Sequence, residues 1–162
     1  MNKQYYGDEA VAAAAQHYGY RGPIDPIARH IIHEEGFVAG QYDDHKGIAT
    51  SGVGIADPEL QDKNFFTEVL PIYTERARKA TKDYVKLPES AQAAVVSMAY
   101  RGDWGPNTKK ALAAGNLRAA ARQYLDHDEY RKGRYKHATP QERAVAERML
   151  RNARALDPKV AM

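Results

Sequence analysis

Between His30 and Gly54 the chain reads HIIHEEGFVAGQYDDHKGIATSGVG, with carboxylates in two adjacent pairs, Glu34-Glu35 and Asp43-Asp44, and a threonine, Thr50, shortly after. Carboxyl groups set against each other in this way do proton work. One held protonated donates as a general acid, while another, ionised, stabilises positive charge or takes a proton from water. At about 100° per residue, Ile24, Ile27, Ala28, Ile31 and Ile32 form one apolar stripe of a helix, with Glu35 near its middle and Glu34 a quarter-turn away. A carboxyl on the apolar face of the last helical turn meets desolvation and the negative end of the helix dipole, and both favour the protonated form. The same position also suits a glutamate that ends a helix and pairs with an arginine, and helical arithmetic does not choose between the two. Asp43, Asp44 and Thr50, taken singly, are ordinary residues of a turn and a strand. His30, His33 and His45 share the stretch, but HIIHEE spaces two histidines three apart and offers no convincing third ligand, so neither a metal nor another cofactor is expected.

The elements that must hold these residues can be read from punctuation. Asp25 is a good N-cap with Pro26 at the first helical position, and Gly36 stops the helix after Glu35. From Phe37 to Gly54 short β segments and turns take over. Before this region lies an Ala-rich helix from about Asp8 to Tyr18, closed by Gly19, and then the linker YRGPIDP. After it, Lys63 to Leu70 leads to Pro71 and a long polar helix, PIYTERARKATKDYVK. Leu87-Pro88 breaks that helix, and AQAAVVSMAY, Ala91 to Tyr100, is apolar enough for the buried centre of a helical lobe. RGDWGPNT reads as a loop, KKALAAGNLRAAARQYLDH as two helices around Gly115, and DEYRKGRYKHA as a basic, aromatic connection. Thr139-Pro140-Gln141-Glu142 opens the last helix with a capping box. The expected architecture is α+β, a single domain of two lobes: an N-terminal helical extension over 1–24, a small β-containing lobe over 25–70, a connecting helix over 71–86 and a helical lobe over 87–162.

Composition narrows the classes. The chain has 162 residues, 43% hydrophobic and 28% charged, which suits one globular domain with a real core. Cysteine is absent, which excludes a disulfide scaffold and thiol chemistry. No apolar run approaches the ~20 residues of a membrane span, and the Ala-rich start lacks a signal peptide's basic region, so the chain is expected to be made in a cytoplasm without stable membrane insertion. A net charge of +3 implies a mild attraction to acidic polymers. The basic residues are spread and carry no nucleic-acid motif, so nucleic acid is not the expected partner.

In combination, Glu35-Gly36, Tyr42, Asp44, Gly47, Thr50, Gly52 and Gly54 resemble the lysozymes of T-even bacteriophages and their relatives in glycoside hydrolase family 24. In that pattern Glu-Gly ends a helix, Tyr stands seven residues and Asp nine residues after the Glu, and a Thr-x-Gly-x-Gly turn begins six after the Asp; every offset is matched here. Eight residues at fixed spacing are a specific signal. The resemblance continues more weakly to the C-terminus. It implies a lysozyme-like two-lobed fold and a muramidase that cuts peptidoglycan between N-acetylmuramic acid and N-acetylglucosamine. Glu35 would be the acid, Asp44 the partner of a water on the other face of the sugar, and Thr50 that water's second holder. The outcome implied is inversion, with the carboxyls roughly 6.5–9.5 Å apart, where a covalent route needs ~5 Å. By the same resemblance Tyr42, Gly54, Tyr100, Arg101 and Thr108 line the substrate, and Arg143 pairs with the catalytic glutamate. Helical arithmetic puts Arg143 off the apolar stripe of Val145, Met149 and Ala153, where it is also an ordinary solvated arginine.

The chain departs from the pattern after Gly54, where the family often has His and this sequence has Ile55-Ala56. Residues 1 to about 24 have no counterpart in the short members, and an extra helix packed on the domain is expected there. The implied role is that of a monomeric endolysin for host cell lysis, made without a signal and reaching periplasmic peptidoglycan once the membrane is permeabilised. A tail-borne or secreted antibacterial effector, a lytic transglycosylase and a non-catalytic wall-binding module are the alternatives.

Overall fold

A computed structural model describes residues 3–43, 47 and 49–162, and the side chains of all of these except Gln41 and Tyr42. The chain forms two compact units, Met1–Ile72 and Tyr73–Met162.

In the first unit β1 (Gln4–Tyr5) leads into α1 (Gly7–Tyr18), which Gly19 closes in the left-handed conformation at φ 64°. α2 (Pro26–Glu35) starts where the sequence indicates, with Asp25 Oδ1 accepting from the Ile27 amide at 2.7 Å. Its stripe is buried at Ala28, Ile31 and Ile32. β2 (Phe37–Asp43) follows after a single glycine and pairs antiparallel with β3 (Ala49–Gly52) in the register Val38 to Gly52 and Tyr42 to Thr50, with an irregularity between.

The N-terminal segment is more than an added helix. β1 makes the sheet three-stranded, in the order β1-β2-β3, by pairing Gln4 with Val38 and Tyr5 with Phe37. α1 buries Ala10, Val11 and Ala14 and packs on α2 and β2. Phe37, 2% exposed, gathers Tyr5, His17 and Tyr18 around it with ring centroids 5.3 to 6.3 Å away, and Tyr20 stacks on Phe66 at 4.4 Å. Aromatic rings bury large areas, and here they, with the buried Ala10, Val11 and Ala14, tie residues 5–20 to the unit's core.

Asn64 caps a wide π turn over Phe65–Val69, accepting from the amides of Phe66 and Thr67, and α3 (Leu70–Ala80) carries the chain into the second unit. α3 is shorter than the polar run suggests. The chain leaves helical geometry after Ala80 because the Lys82 amide donates to the carbonyl of Leu112 at 3.0 Å and Thr81 and Tyr84 turn inward, 4% and 6% exposed.

α4 (Glu89–Arg101) is buried at Ala91, at every position from Ala93 to Ala99, and so on almost all sides, as its composition requires. α5 (Pro106–Ala113) and α6 (Leu117–Leu125) are the expected pair around Gly115. Part of the basic connection is instead a short helix, α7 (Asp128–Gly133), whose N-cap is the His127 ring, Nδ1 accepting from the Glu129 amide at 3.0 Å. Acidic residues in its first turn and basic ones in its last complement the helix dipole. α8 (Pro140–Leu156) begins with the Thr139–Glu142 capping box and packs against α4, α6 and α7. Among the described residues no helix is long and apolar enough to cross a membrane.

Candidate active site

The last turn of α2 delivers Glu35 to a place defined by glycines. Gly36, at φ 73°, ends the helix with its amide on the Ile32 carbonyl at 2.7 Å, and a Cβ there would lie 3.1 Å from the Tyr5 carbonyl oxygen. Strand β1 is thus laid against the residue that follows Glu35. Beyond β3, Ser51 and Ile55 exchange two backbone hydrogen bonds, 3.0 and 2.9 Å, and close a turn through Gly52, Val53 and Gly54. Gly54 has φ 61°, and a Cβ on it would stand 2.8 Å from Glu35 Oε2 and 3.2 Å from Glu35 Cβ. A side chain there is strained by the left-handed backbone, and its Cβ would force the Glu35 carboxylate to shift. Glu34 and Glu35 are both half-buried, so burial does not separate them. The approach of Gly54 does.

Thr50 is 3% exposed and paired through its backbone with Tyr42. Side chains alternate along a strand, so Thr50 faces away from Ser51. The Ser51 side borders a groove of about 750 Å³ that is also lined by His17, Tyr18, Gln61, Asp62 and Asn64 and not by Glu35 or Thr50. Asp44 and the side chain of Tyr42 lie outside the described residues.

Three side chains without a signal in the sequence hold this arrangement. Gln61 donates from Nε2 to the carbonyls of Ala49 and Ile55, both at 3.1 Å, and so spans the start of β3 and the end of the turn. Asn64 donates from Nδ2 to the Tyr18 carbonyl at 3.0 Å. Tyr18 reaches the turn directly, since a Cβ on Gly52, whose φ is also 61°, would overlap its hydroxyl. Burial pushes the Tyr18 phenol up to about 12. His33 meets Asp8 Oδ1 at 3.0 Å, beside the Arg29 guanidinium at 3.1 Å. Among the described residues no three His, Asp or Glu side chains are placed to hold a metal ion.

The remaining candidates belong to the second unit. Tyr100 is half-buried with its ring tilted against Tyr73, centroids 4.8 Å apart. Arg101 donates from Nε to Asp103 Oδ2 at 3.2 Å, with its side chain 14% exposed. The Asp103 carboxylate also accepts from the Tyr124 hydroxyl at 2.9 Å. Thr108, expected to offer its hydroxyl to a sugar, is 1% exposed in the first turn of α5. Arg143 is exposed at the start of α8, bordering a shallow cavity of about 200 Å³ with Arg134, Tyr135 and Glu147.

A helix ending in Glu-Gly, a small antiparallel sheet closed by a glycine turn, and a helical unit built around a buried central helix make up an α+β fold of the lysozyme-like type. Among solved structures it is similar to the active form of P1 phage endolysin Lyz, at a TM-score of 0.54 and 13% sequence identity over 91% of this chain and 93% of that one. No protein-family model and no curated protein matches the sequence.

Proposed function

We propose that the chain is a peptidoglycan hydrolase of the phage-lysozyme kind, a muramidase acting on the β-1,4 bond between N-acetylmuramic acid and N-acetylglucosamine. The observation that carries this reading is the seat of Gly54 against the Glu35 carboxylate. Two ends of the sequence pattern, nineteen residues apart, meet at the one carboxyl the pattern makes the acid. The likeness of fold to a phage endolysin supports it.

In the proposed reaction Glu35 passes its proton to the leaving oxygen as the glycosidic C–O bond breaks. Asp44, ionised, stabilises the oxocarbenium-like charge and takes a proton from the water that attacks the opposite face of the sugar, which inverts the anomeric carbon. Thr50 is the second holder of that water, and Tyr42, Gly54, Tyr100, Arg101 and Thr108 are substrate contacts in the same proposal, with Arg143 as partner of the acid. The chain acts as a monomer in host cell lysis, on periplasmic wall, after membrane permeabilisation; a tail-borne or secreted effector uses the same chemistry.

The test is release of reducing ends from purified peptidoglycan. Glu35→Gln is expected to lower the rate by about 10²–10⁴-fold, the span of a general acid's contribution, with the melting temperature retained. Undiminished release by Glu35→Gln overturns the assignment, and failure of both proteins to release products while binding walls points to a non-catalytic wall module.

The burial of Thr50 favours a second reading, in which no threonine-held water is needed. A lytic transglycosylase would use Glu35 alone, the C6 hydroxyl of the muramoyl residue attacking its own anomeric carbon and returning a proton to the glutamate. Mass spectrometry separates the two: reducing ends support hydrolysis, and 1,6-anhydro ends the alternative.

A further inference from the structure

The sequence pattern assigns nothing to residues 1–24, yet their last helical residue sits against the glycine turn that seats the acid. Tyr18 ends α1, and its hydroxyl occupies the space where Gly52 would otherwise carry a Cβ, while the next ring atom, Cζ, is 3.6 Å from that position. The ring is held on several sides. The ring centroids of His17, Phe37 and Phe66 lie 4.8, 6.2 and 6.1 Å from its own in edge-to-face arrangements, and its backbone carbonyl accepts from Asn64 at 3.0 Å. A ring so packed has few rotamers to escape into. On the other side of the contact, the Ser51–Ile55 hydrogen bonds tie Gly52 to Gly54 within one short turn, and Gly54 touches Glu35.

We infer that Tyr18 is a positioning residue for Glu35. It acts through the Gly52–Ile55 turn, so that the N-terminal helix sets where the backbone of Gly54 meets the catalytic carboxyl. The inference rests on the muramidase reading. Gly52 is then required for a reason the motif does not state: it admits a tyrosine from a segment outside the motif.

The contact makes a double-mutant cycle decisive. Gly52→Ala places a methyl on the Tyr18 hydroxyl and also incurs the left-handed backbone cost, whereas Gly52→Ala in a Tyr18→Phe background incurs only the backbone cost, because the hydroxyl is gone and Cζ is at contact distance. Steady-state hydrolysis of purified peptidoglycan reads the result. Gly52→Ala alone is expected to lower kcat by about 10²-fold with KM held, the effect of displacing a reacting group by roughly 1 Å. Adding Tyr18→Phe is expected to recover most of that loss. Tyr18→Phe alone is expected to cost only a few-fold in kcat.

Additive effects, or a Gly52→Ala loss carried in KM and unrelieved by Tyr18→Phe, overturn the positioning role. Should Gly52→Ala not fold, Tyr18→Leu decides the same question: it removes ring and hydroxyl together, kcat is expected to fall further than in Tyr18→Phe at constant KM, and unchanged kcat overturns the inference. An inactive wild-type chain defeats the muramidase reading and the inference with it. An active wild type with additive substitutions defeats the inference alone.

Discussion

At Gly54 the seat of Glu35 turns on one missing atom, the Cβ. Its φ of 61° and the 2.8 Å that would separate an added Cβ from Glu35 Oε2 make two separable demands on the residue. Gly54→Ala violates both, since an L-residue in left-handed backbone costs roughly 1–2 kcal/mol and the methyl displaces the carboxylate. Gly7, at φ 59° with nothing within 4 Å, supplies the control, because Gly7→Ala carries the backbone cost alone. Both substitutions are expected to lower the melting temperature by similar amounts. Only Gly54→Ala is expected to lose wall-hydrolysing activity, by about 10²-fold if the carboxylate moves by roughly 1 Å. Equal activity of the two variants would show that the approach of Gly54 does nothing for Glu35.

The N-terminal segment separates what local chemistry announces from what only packing reveals. α2 was legible because both of its ends are written in neighbouring residues, Asp25-Pro26 before and Gly36 after, and α8 because Thr139 and Glu142 form their capping box within one turn. Glu35 and Gly54 were legible as a spaced pattern. β1 was not: two residues show no alternation, and their partners Phe37 and Val38 lie more than thirty positions away. α7 hid in a basic run because its cap is a histidine ring, and the early end of α3 is set by Leu112, which no local window contains. Gln61 and Tyr18 carried no signal because their targets are backbone groups of other elements. It follows that the two kinds of contact made by residues 5–20 differ in weight. Asp8 is 82% exposed, and Asp8→Ala is expected to leave stability within about 0.5 kcal/mol of wild type, as surface substitutions do. Deleting residues 1–20 strips Tyr5, His17, Tyr18 and Tyr20 from the cluster around Phe37 and Phe66, and is expected to abolish the cooperative unfolding transition of the first unit in near-ultraviolet dichroism. A deletion variant that melts like the full chain would reduce the segment to an appendage.

Across the chain as a whole, each unit holds a tyrosine whose phenol is raised by burial, half-buried in the first unit and fully buried in the second, and that gives the molecule a common response to alkali. In the first unit the phenol is Tyr18. In the second it is Tyr124, 1% exposed, whose hydroxyl donates to Asp103; burial, and then the neighbouring Asp103 charge and that hydrogen bond, hold it well above the usual phenol range. Asp103 is itself 8% exposed and shares its carboxylate with Arg101, while Asn152 donates to Ser97 at 2.9 Å within the same core. A phenol that binds its proton more tightly folded than unfolded contributes stability in full below the unfolded value, about 10, and that contribution is lost as pH rises through the folded value. Stability is therefore expected to fall from pH 10 upward, with the Tyr18 part of the loss complete near its folded value of about 12. Urea unfolding at pH 7 and at steps from about pH 9 to 11.5, a window that brackets the ordinary phenol value, reads this as a difference between wild type and each Tyr→Phe variant. Tyr18→Phe is expected to flatten the slope above pH 10. Tyr124→Phe flattens it too, but at pH 7 it also removes a donor from a buried carboxylate and is expected to cost about 1–3 kcal/mol. Parallel pH profiles for wild type and Tyr124→Phe would mean that this phenol is not held in its neutral form by the fold.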